Sequence, residues 1–193
     1  RESAEDVART LSGFHSVSAA RVFDHSVLER MASPSTVPVV NLLSDRSHPL
    51  QAVADLLTIR AEFGGFADRS VAWVGDYSNV ARSLGEAAAL AGMAVRFACP
   101  DGYAPPAEDL RRFEALGAPT VYADAEPKGM VEGAHVVVTD AWYSMGQEDE
   151  KAVRTPIFEP YRVDDALLSV AAPDAVFLHC LPAHRGEEVT DAV

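Results

Sequence analysis

Five short apolar runs constrain what this chain can become: "VAWVG" (71–75), "AVRFAC" (94–99), "TVYA" (120–123), "HVVVTD" (135–140) and "VFLHC" (176–180). Each is rich in β-branched or aromatic residues and lacks the strict polar alternation of a strand with one wet face. The segments between them are helical in pattern, as in "NVARSLGEAAALAG" and "PAEDLRRFEALG", or long enough to cross over. Strands apolar on both faces and joined by such crossovers predict a parallel sheet covered on both sides. The fold class is therefore α/β, with a Rossmann-like unit of about five strands over residues 67–193.

Residues 1–66 show the same alternation with less definition. "ESAEDVARTLSGF" spaces Val7, Leu11 and Phe14 as one helix face, "VSAARVF" and "VPVVN" read as short strands, and "HSVLERMA" as a helix between them. "HPLQAVADLLTIRAEFG" is the strongest helix. Pro49 suits its first turn, Leu50, Val53, Ala54 and Leu57 form one face, and Gly64-Gly65 ends it. Two parallel-sheet α/β domains are expected, 1–66 and 67–193, with the boundary falling within 64–70. The first reads as incomplete, because two strands and three helices cannot bury both faces of a sheet. At the far end, "VTDAV" offers Thr190 or Asp191 as a helix N-cap with no helix body after it. The expectation is a segment of a larger protein.

Composition narrows the function classes. Of 193 residues, 48% are hydrophobic and 23% charged, the balance of a globular chain. A net charge of −13 provides no basic face for a phosphate backbone, so nucleic acid is excluded as a partner. An anionic substrate would need arginines placed locally. Two cysteines, Cys99 and Cys180, make no disulfide framework, which points to a reducing cytoplasm. The longest apolar candidate, "AAALAGMAV", falls far short of the ~20 residues of a membrane span. Arg1 is not an initiator methionine, so targeting cannot be judged from the sequence.

Parallel α/β sheets bind ligands beyond the carboxyl ends of their strands. The polar residues there are Arg21, the loop "NLLSDRSHPLQ", "GDYSN" (75–79), Asp140 and His179-Cys180. His48 falls at or near a helix N-cap with Gln51 on the same face of the first turn, where free amides and the helix dipole favour a carbonyl oxygen or a phosphate. His48 can equally serve only as a cap. Asn79 either caps its helix or offers an amide to a carboxylate. Asp140 either closes a turn or meets an ammonium group. Cys180 is a packed core thiol, a metal ligand or a cleft residue, and Cys99, also after a strand, shows that position alone does not decide. Zinc needs three or four ligands, and no second Cys-x-x-Cys pair or H-E-x-x-H helix accompanies His179, Cys180 and His184, so metal is not expected. Without G-x-G-x-x-G or a Walker sequence, and with Asp76 in the first turn, a nicotinamide cofactor is not expected either. A nucleophile elbow is also missing.

Together, "HPLQ" (48–51), "DAWYSMG" (140–146) and "HCLP" (179–182) resemble the H-P-x-Q, D-x-x-x-S-M-G and H-C-L-P motifs of ornithine carbamoyltransferases, in that order and at suitable separations. "VPVVNLLSD", "ADLLTIRAEFG" and "TPIFEPYRV" are similar to the family as well, so the resemblance covers essentially the whole chain. H-P-x-Q is shared with aspartate carbamoyltransferase, while the other two motifs point to ornithine. The resemblance implies a carbamoyl-phosphate domain (1–66) and an ornithine domain (67–193) with the site between them, a homotrimer or higher multiple, and no metal or organic cofactor. It implies that Arg21, His48, Pro49, Leu50, Gln51, Cys180 and Leu181 surround carbamoyl phosphate, with Cys180, His48 and Arg21 catalytic. Asn79, Asp140, Ser144 and Met145 would hold ornithine. Cys180 as proton acceptor calls for a thiolate, plausible where cations lie near.

Three departures stand out. The family's Ser-x-Arg-Thr-Arg phosphate loop is not in the sequence, Leu42 stands where glycine is common, and Leu50 where a small or polar residue is common. Residues 1–193 alone are therefore expected to bind carbamoyl phosphate poorly and turn over weakly. Alternative readings are a carbamoyltransferase for putrescine or an acylated ornithine, or a non-catalytic paralogue serving as an assembly subunit. Asn79 and Asp140 favour a free amino acid.

Overall fold

The computed structural model of the chain describes residues 2–143 and 148–193. It contains two parallel sheets. The first unit runs α1 (Ala4–Ser12), β1 (Ser18–Arg21), α2 (His25–Ala32), β2 (Val39–Leu43) and α3 (Pro49–Phe63), with β1 and β2 paired in parallel. The second runs β3 (Ser70–Val74), α4 (Asn79–Leu90), β4 (Ala94–Ala98), α5 (Ala107–Leu116), β5 (Val121–Asp124), α6 (Pro127–Val131), β6 (Val136–Thr139), α7 (Lys151–Phe158), α8 (Asp165–Leu168) and β7 (Val176–His179). Its five strands are all parallel, in the order β5-β4-β3-β6-β7.

That order explains where a site can form. The chain builds from β3 outward to β4 and β5, then returns to lay β6 on the other side of β3. Crossovers leaving β3 and β6 therefore diverge, and a crevice opens beyond the carboxyl ends of these neighbours. Residues 75–79 and Asp140 sit at its rim.

β3 is buried along its whole length, as its apolar run requires. Val71 and Trp73 pack under α4 and α5 with Leu84, Phe97 and Phe113, while Ala72 and Val74 pack on the opposite face with Val131, Tyr161 and Val163. α3 joins the first of these cores through Ile59, Leu56 and Phe63, bringing the two units together.

Helix α3 begins and ends as its sequence dictates, with Pro49 in its first turn and Gly64 closing it at a left-handed φ of 74°. The face expected to bury does not. Leu50, Val53 and Leu57 are exposed, and Ala52, Asp55 and Ile59 are the inward residues. The helix is apolar on two sides, so its pattern leaves the inward side undecided; packing on α4 selects it. Phe14 likewise lies past the end of α1 and is exposed, with Ala8 the buried residue of that helix. Helices α6 and α8 are not legible as apolar stripes, since they span only five and four residues, and α7 is not because it buries Arg154 beside Phe158. Leu42 lies within β2, outside any positive-φ position. Thr190 and Asp191 start no helix among the described residues.

Candidate active site

The N-terminus of α3 faces the crevice from the first unit. His48 occupies the N-cap position but its side chain makes no capping bond. Its backbone N–H instead donates to Ser83 Oγ on α4 at 2.8 Å, which anchors the start of α3 to the second unit. The Nδ1 of the ring is buried and has no partner among the described residues. Burial, followed by the charge of Arg21, pushes the His48 pKa down, and Asp140 partly opposes them. The ring is thus neutral at physiological pH, and it feels both an arginine at the end of β1 and a carboxylate at the end of β6. One turn on, Gln51 Nε2 donates to Asp55 Oδ1 at 2.9 Å. Asp55 is buried, and that burial raises its carboxyl above the usual range.

Asn79 is the first residue of α4, not its cap. Ser78 takes that role, accepting from Ala81 N. The Asn79 amide donates across the crevice to the Ser44 carbonyl at 2.6 Å, leaving its second N–H available.

Cys180 closes the arrangement from β7. Its thiol donates to Asp140 Oδ1 at 3.0 Å, and the same oxygen accepts from Ala141 N at 2.8 Å. The condition for a thiolate is not met. Burial, the adjacent charge of Asp140 and its hydrogen bond, and the charge of Asp55 push the Cys180 thiol well above its ordinary range. Carboxylates surround the sulfur where a thiolate needs cations, so Cys180 is a neutral donor. Cys99 differs in setting. It lies in the core beside Trp73 and Phe97, and burial pushes it up to about 12.

Asp140, His179 and Cys180 place donor atoms within 4.8 Å of one another, a cluster that invites a metal reading. Both His179 nitrogens are committed, however: Nδ1 accepts from Leu181 N at 2.8 Å and Nε2 lies 3.2 Å from Glu188 Oε1. The ring has no lone pair left for a cation. Leu181 adopts a left-handed φ of 58°, precedes a cis bond to Pro182 and is exposed, as are Arg21 and Leu50. Pro49 is half-buried. Ser144 and Met145 lie outside the described residues.

Sequence reasoning missed three charged residues around this crevice. Asp55 and Glu188 read as ordinary helix and loop acids. Arg154, in "KAVRTP", reads as surface charge. It is buried, pairs with Asp76 and with Glu150 Oε2 at 3.2 Å, donates to the Trp142 carbonyl at 2.6 Å, and lies over Tyr103 and Phe158. It therefore ties together Trp142, Asp76 and Glu150.

Two α/β units are thus joined where α3 packs on α4, and polar residues of both gather beyond the carboxyl ends of β3 and β6, the place where an α/β protein takes a ligand. Residues 67–193 match the family model described as the Asp/Orn binding domain of aspartate/ornithine carbamoyltransferase, and residues 1–61 match that family's carbamoyl-P binding domain. The chain belongs to the aspartate/ornithine carbamoyltransferase family. It is 51% identical over 191 residues to an ornithine carbamoyltransferase of Thermus thermophilus, covering 99% of this chain and 62% of that protein. Against the one from Archaeoglobus fulgidus, identity is 47% over 192 residues, with 100% and 62% covered. The solved ornithine carbamoyltransferase of Pyrococcus furiosus superposes with a TM-score of 0.93 at 44% identity, over 100% of this chain and 62% of that one. The chain thus spans less than two thirds of the length of these relatives. Among the described residues, no helix is long and apolar enough to cross a membrane.

Proposed function

We propose that the protein containing this chain is an ornithine carbamoyltransferase, converting carbamoyl phosphate and L-ornithine to L-citrulline and phosphate. In this reading residues 1–66 belong to the carbamoyl-phosphate domain and residues 67–193 to the ornithine domain. The observation that carries it is the position of Asp140, which hydrogen-bonds Cys180 and acts electrostatically on His48, so that both units address one crevice.

Each group suits a step. Arg21 offsets phosphate charge in an otherwise acidic chain. Neutral His48, with Gln51, polarises the carbamoyl oxygen from the amide-rich end of α3. Asp140 receives the α-ammonium of ornithine, displacing the Cys180 thiol from its resting bond, and Asn79 turns its free N–H toward the α-carboxylate. Ser144 and Met145 complete the ornithine side, and Pro49, Leu50, Cys180 and Leu181 the carbamoyl side. The neutral side-chain amine attacks the carbamoyl carbon, a C–N bond forms, the C–O bond to phosphate breaks, and the proton lost by nitrogen ends on the departing phosphate. As a neutral donor, Cys180 orients the amine or the carbamoyl group.

We also place the protein in arginine metabolism, as a homotrimer or higher multiple, as the family resemblance implies, and in the cytoplasm, on the ground that its two cysteines make no disulfide framework. The test is a substrate panel on the full-length protein. Citrulline formation from ornithine, well above any turnover of putrescine or N-acetylornithine, is the expected result. Turnover of another amine in preference, or of none, sinks the reading. Sedimentation of the same preparation tests the assembly.

A further inference from the structure

Glu188 is a carboxylate with no exposed surface, and no Lys or Arg pairs with it among the described residues. Burying such a group is costly unless its oxygens are used. Here Oε1 takes two donors, His179 Nε2 at 3.2 Å and the backbone N–H of His184 at 2.5 Å, while Oε2 has no hydrogen-bond partner among the described residues, so the burial rests on the donors at Oε1. The far side of the His179 ring is equally defined. Its Nδ1 accepts from Leu181 N, so it carries a lone pair, and the ring is the neutral Nε2–H tautomer. A directed chain results: Leu181 N–H to His179, and His179 N–H to Glu188.

Both ends of that chain matter. Glu188 lies in a turn whose backbone is tied to Val163, its carbonyl accepting from Val163 N at 2.9 Å and Val189 bridging Val163. Leu181 holds a left-handed backbone that a leucine adopts only when something fixes it, and it follows Cys180 directly. We propose that Glu188 is a positioning residue which, through His179, sets the backbone of Leu181 and thereby places Cys180 and Leu181 in the crevice. This rests on the carbamoyl-transfer reading only for the consequence in turnover; the bracket itself is independent of it.

The test uses the full-length protein and two replacements of similar size. Glu188→Gln keeps an oxygen for both donors, whereas Glu188→Met fills the space and accepts nothing. In wild type, ¹⁵N spectra of labelled imidazoles should show His179 as the Nε2–H tautomer. That signature should persist in Glu188→Gln and be lost in Glu188→Met. For citrulline formation, Glu188→Met should lose roughly tenfold to a hundredfold in kcat, the scale of a misplaced reacting group, while Glu188→Gln stays within about threefold of wild type. A wild-type His179 protonated at Nδ1 overturns the proposal without any variant. So does a folded Glu188→Met enzyme with wild-type kcat, or a Glu188→Gln enzyme as impaired as Glu188→Met. A wild-type protein that makes no citrulline defeats the functional reading, and the tautomer result still decides the bracket.

Discussion

At the scale of single residues, the crevice is governed by Asp140. Its charge and its hydrogen bond both hold the Cys180 thiol protonated, so iodoacetamide should modify Cys180 more slowly than a free cysteine at pH 8. Replacing Asp140 with Asn removes a negative neighbour and lowers the thiol pKa. Each tenfold rise in the thiolate fraction should speed alkylation roughly tenfold, read by peptide mass to separate Cys180 from Cys99. An unchanged rate would mean that burial alone sets the thiol. The sign carries over to stability. A raised thiol pKa contributes stability that is complete below about pH 8.5, where the unfolded thiol is still protonated, and is lost as pH rises through the folded value. The motif residues themselves are legible in the sequence because each lies at a strand end or helix start that the apolar pattern fixes. Their protonation is not, since it depends on partners such as Asp55 and Asp140, which lie far away in the chain and only folding brings near.

At the scale of elements, close packing of α4 leaves a position the pattern does not advertise. A Cβ on Gly85 would come within 2.8 Å of Phe113 Cζ and 3.0 Å of Phe97 Cζ, two rings stacked at 5.6 Å in the core. Gly85→Ala gains about 1 kcal/mol of helix propensity yet forces that stack apart, at a cost of about 1–3 kcal/mol. Net destabilisation in urea unfolding is expected; a stabilised variant would show that the rings yield freely. Arg154 ties distant positions together in a comparable way. Arg154→Lys keeps the charge but loses the planar fork that reaches Trp142, Asp76 and Glu150 together. The expected outcome is a KM for ornithine raised roughly tenfold, with the KM for carbamoyl phosphate little changed. A parallel rise in both would place Arg154 outside the ornithine side. The strands are readable because a buried parallel sheet needs continuous apolar runs. α7 is not, because its buried residues are Phe158 and an arginine held by carboxylates and rings, and a single apolar position sets no hydrophobic period.

At the scale of the whole molecule, the crevice exists only while two units keep their register, and beside the apolar packing of α3 that register is set by polar contacts around its N-terminus. Ser83 is the hub. Its Oγ accepts from His48 N at 2.8 Å and donates to Asn79 O at 2.9 Å, while Asn79 reaches back to Ser44. Ser83 sits in "ARSLGE", where it reads as an ordinary helix residue, because the partner that gives it meaning is 35 residues away in the other unit. Ser83→Ala favours the helix slightly but leaves the His48 N–H without its acceptor beside a buried surface, a loss of about 1–3 kcal/mol. More telling is where the loss should fall. His48 belongs to the carbamoyl-phosphate side, so a loosened α3 N-terminus should raise the KM for carbamoyl phosphate more than that for ornithine in the full-length protein. Combining Ser83→Ala with Asn79→Ala should cost less than the sum of the two, since both release the same joint between α4 and the stretch from Ser44 to His48. Strict additivity in a double-mutant cycle would mean that the two units are held elsewhere, and that His48 keeps its place without Ser83.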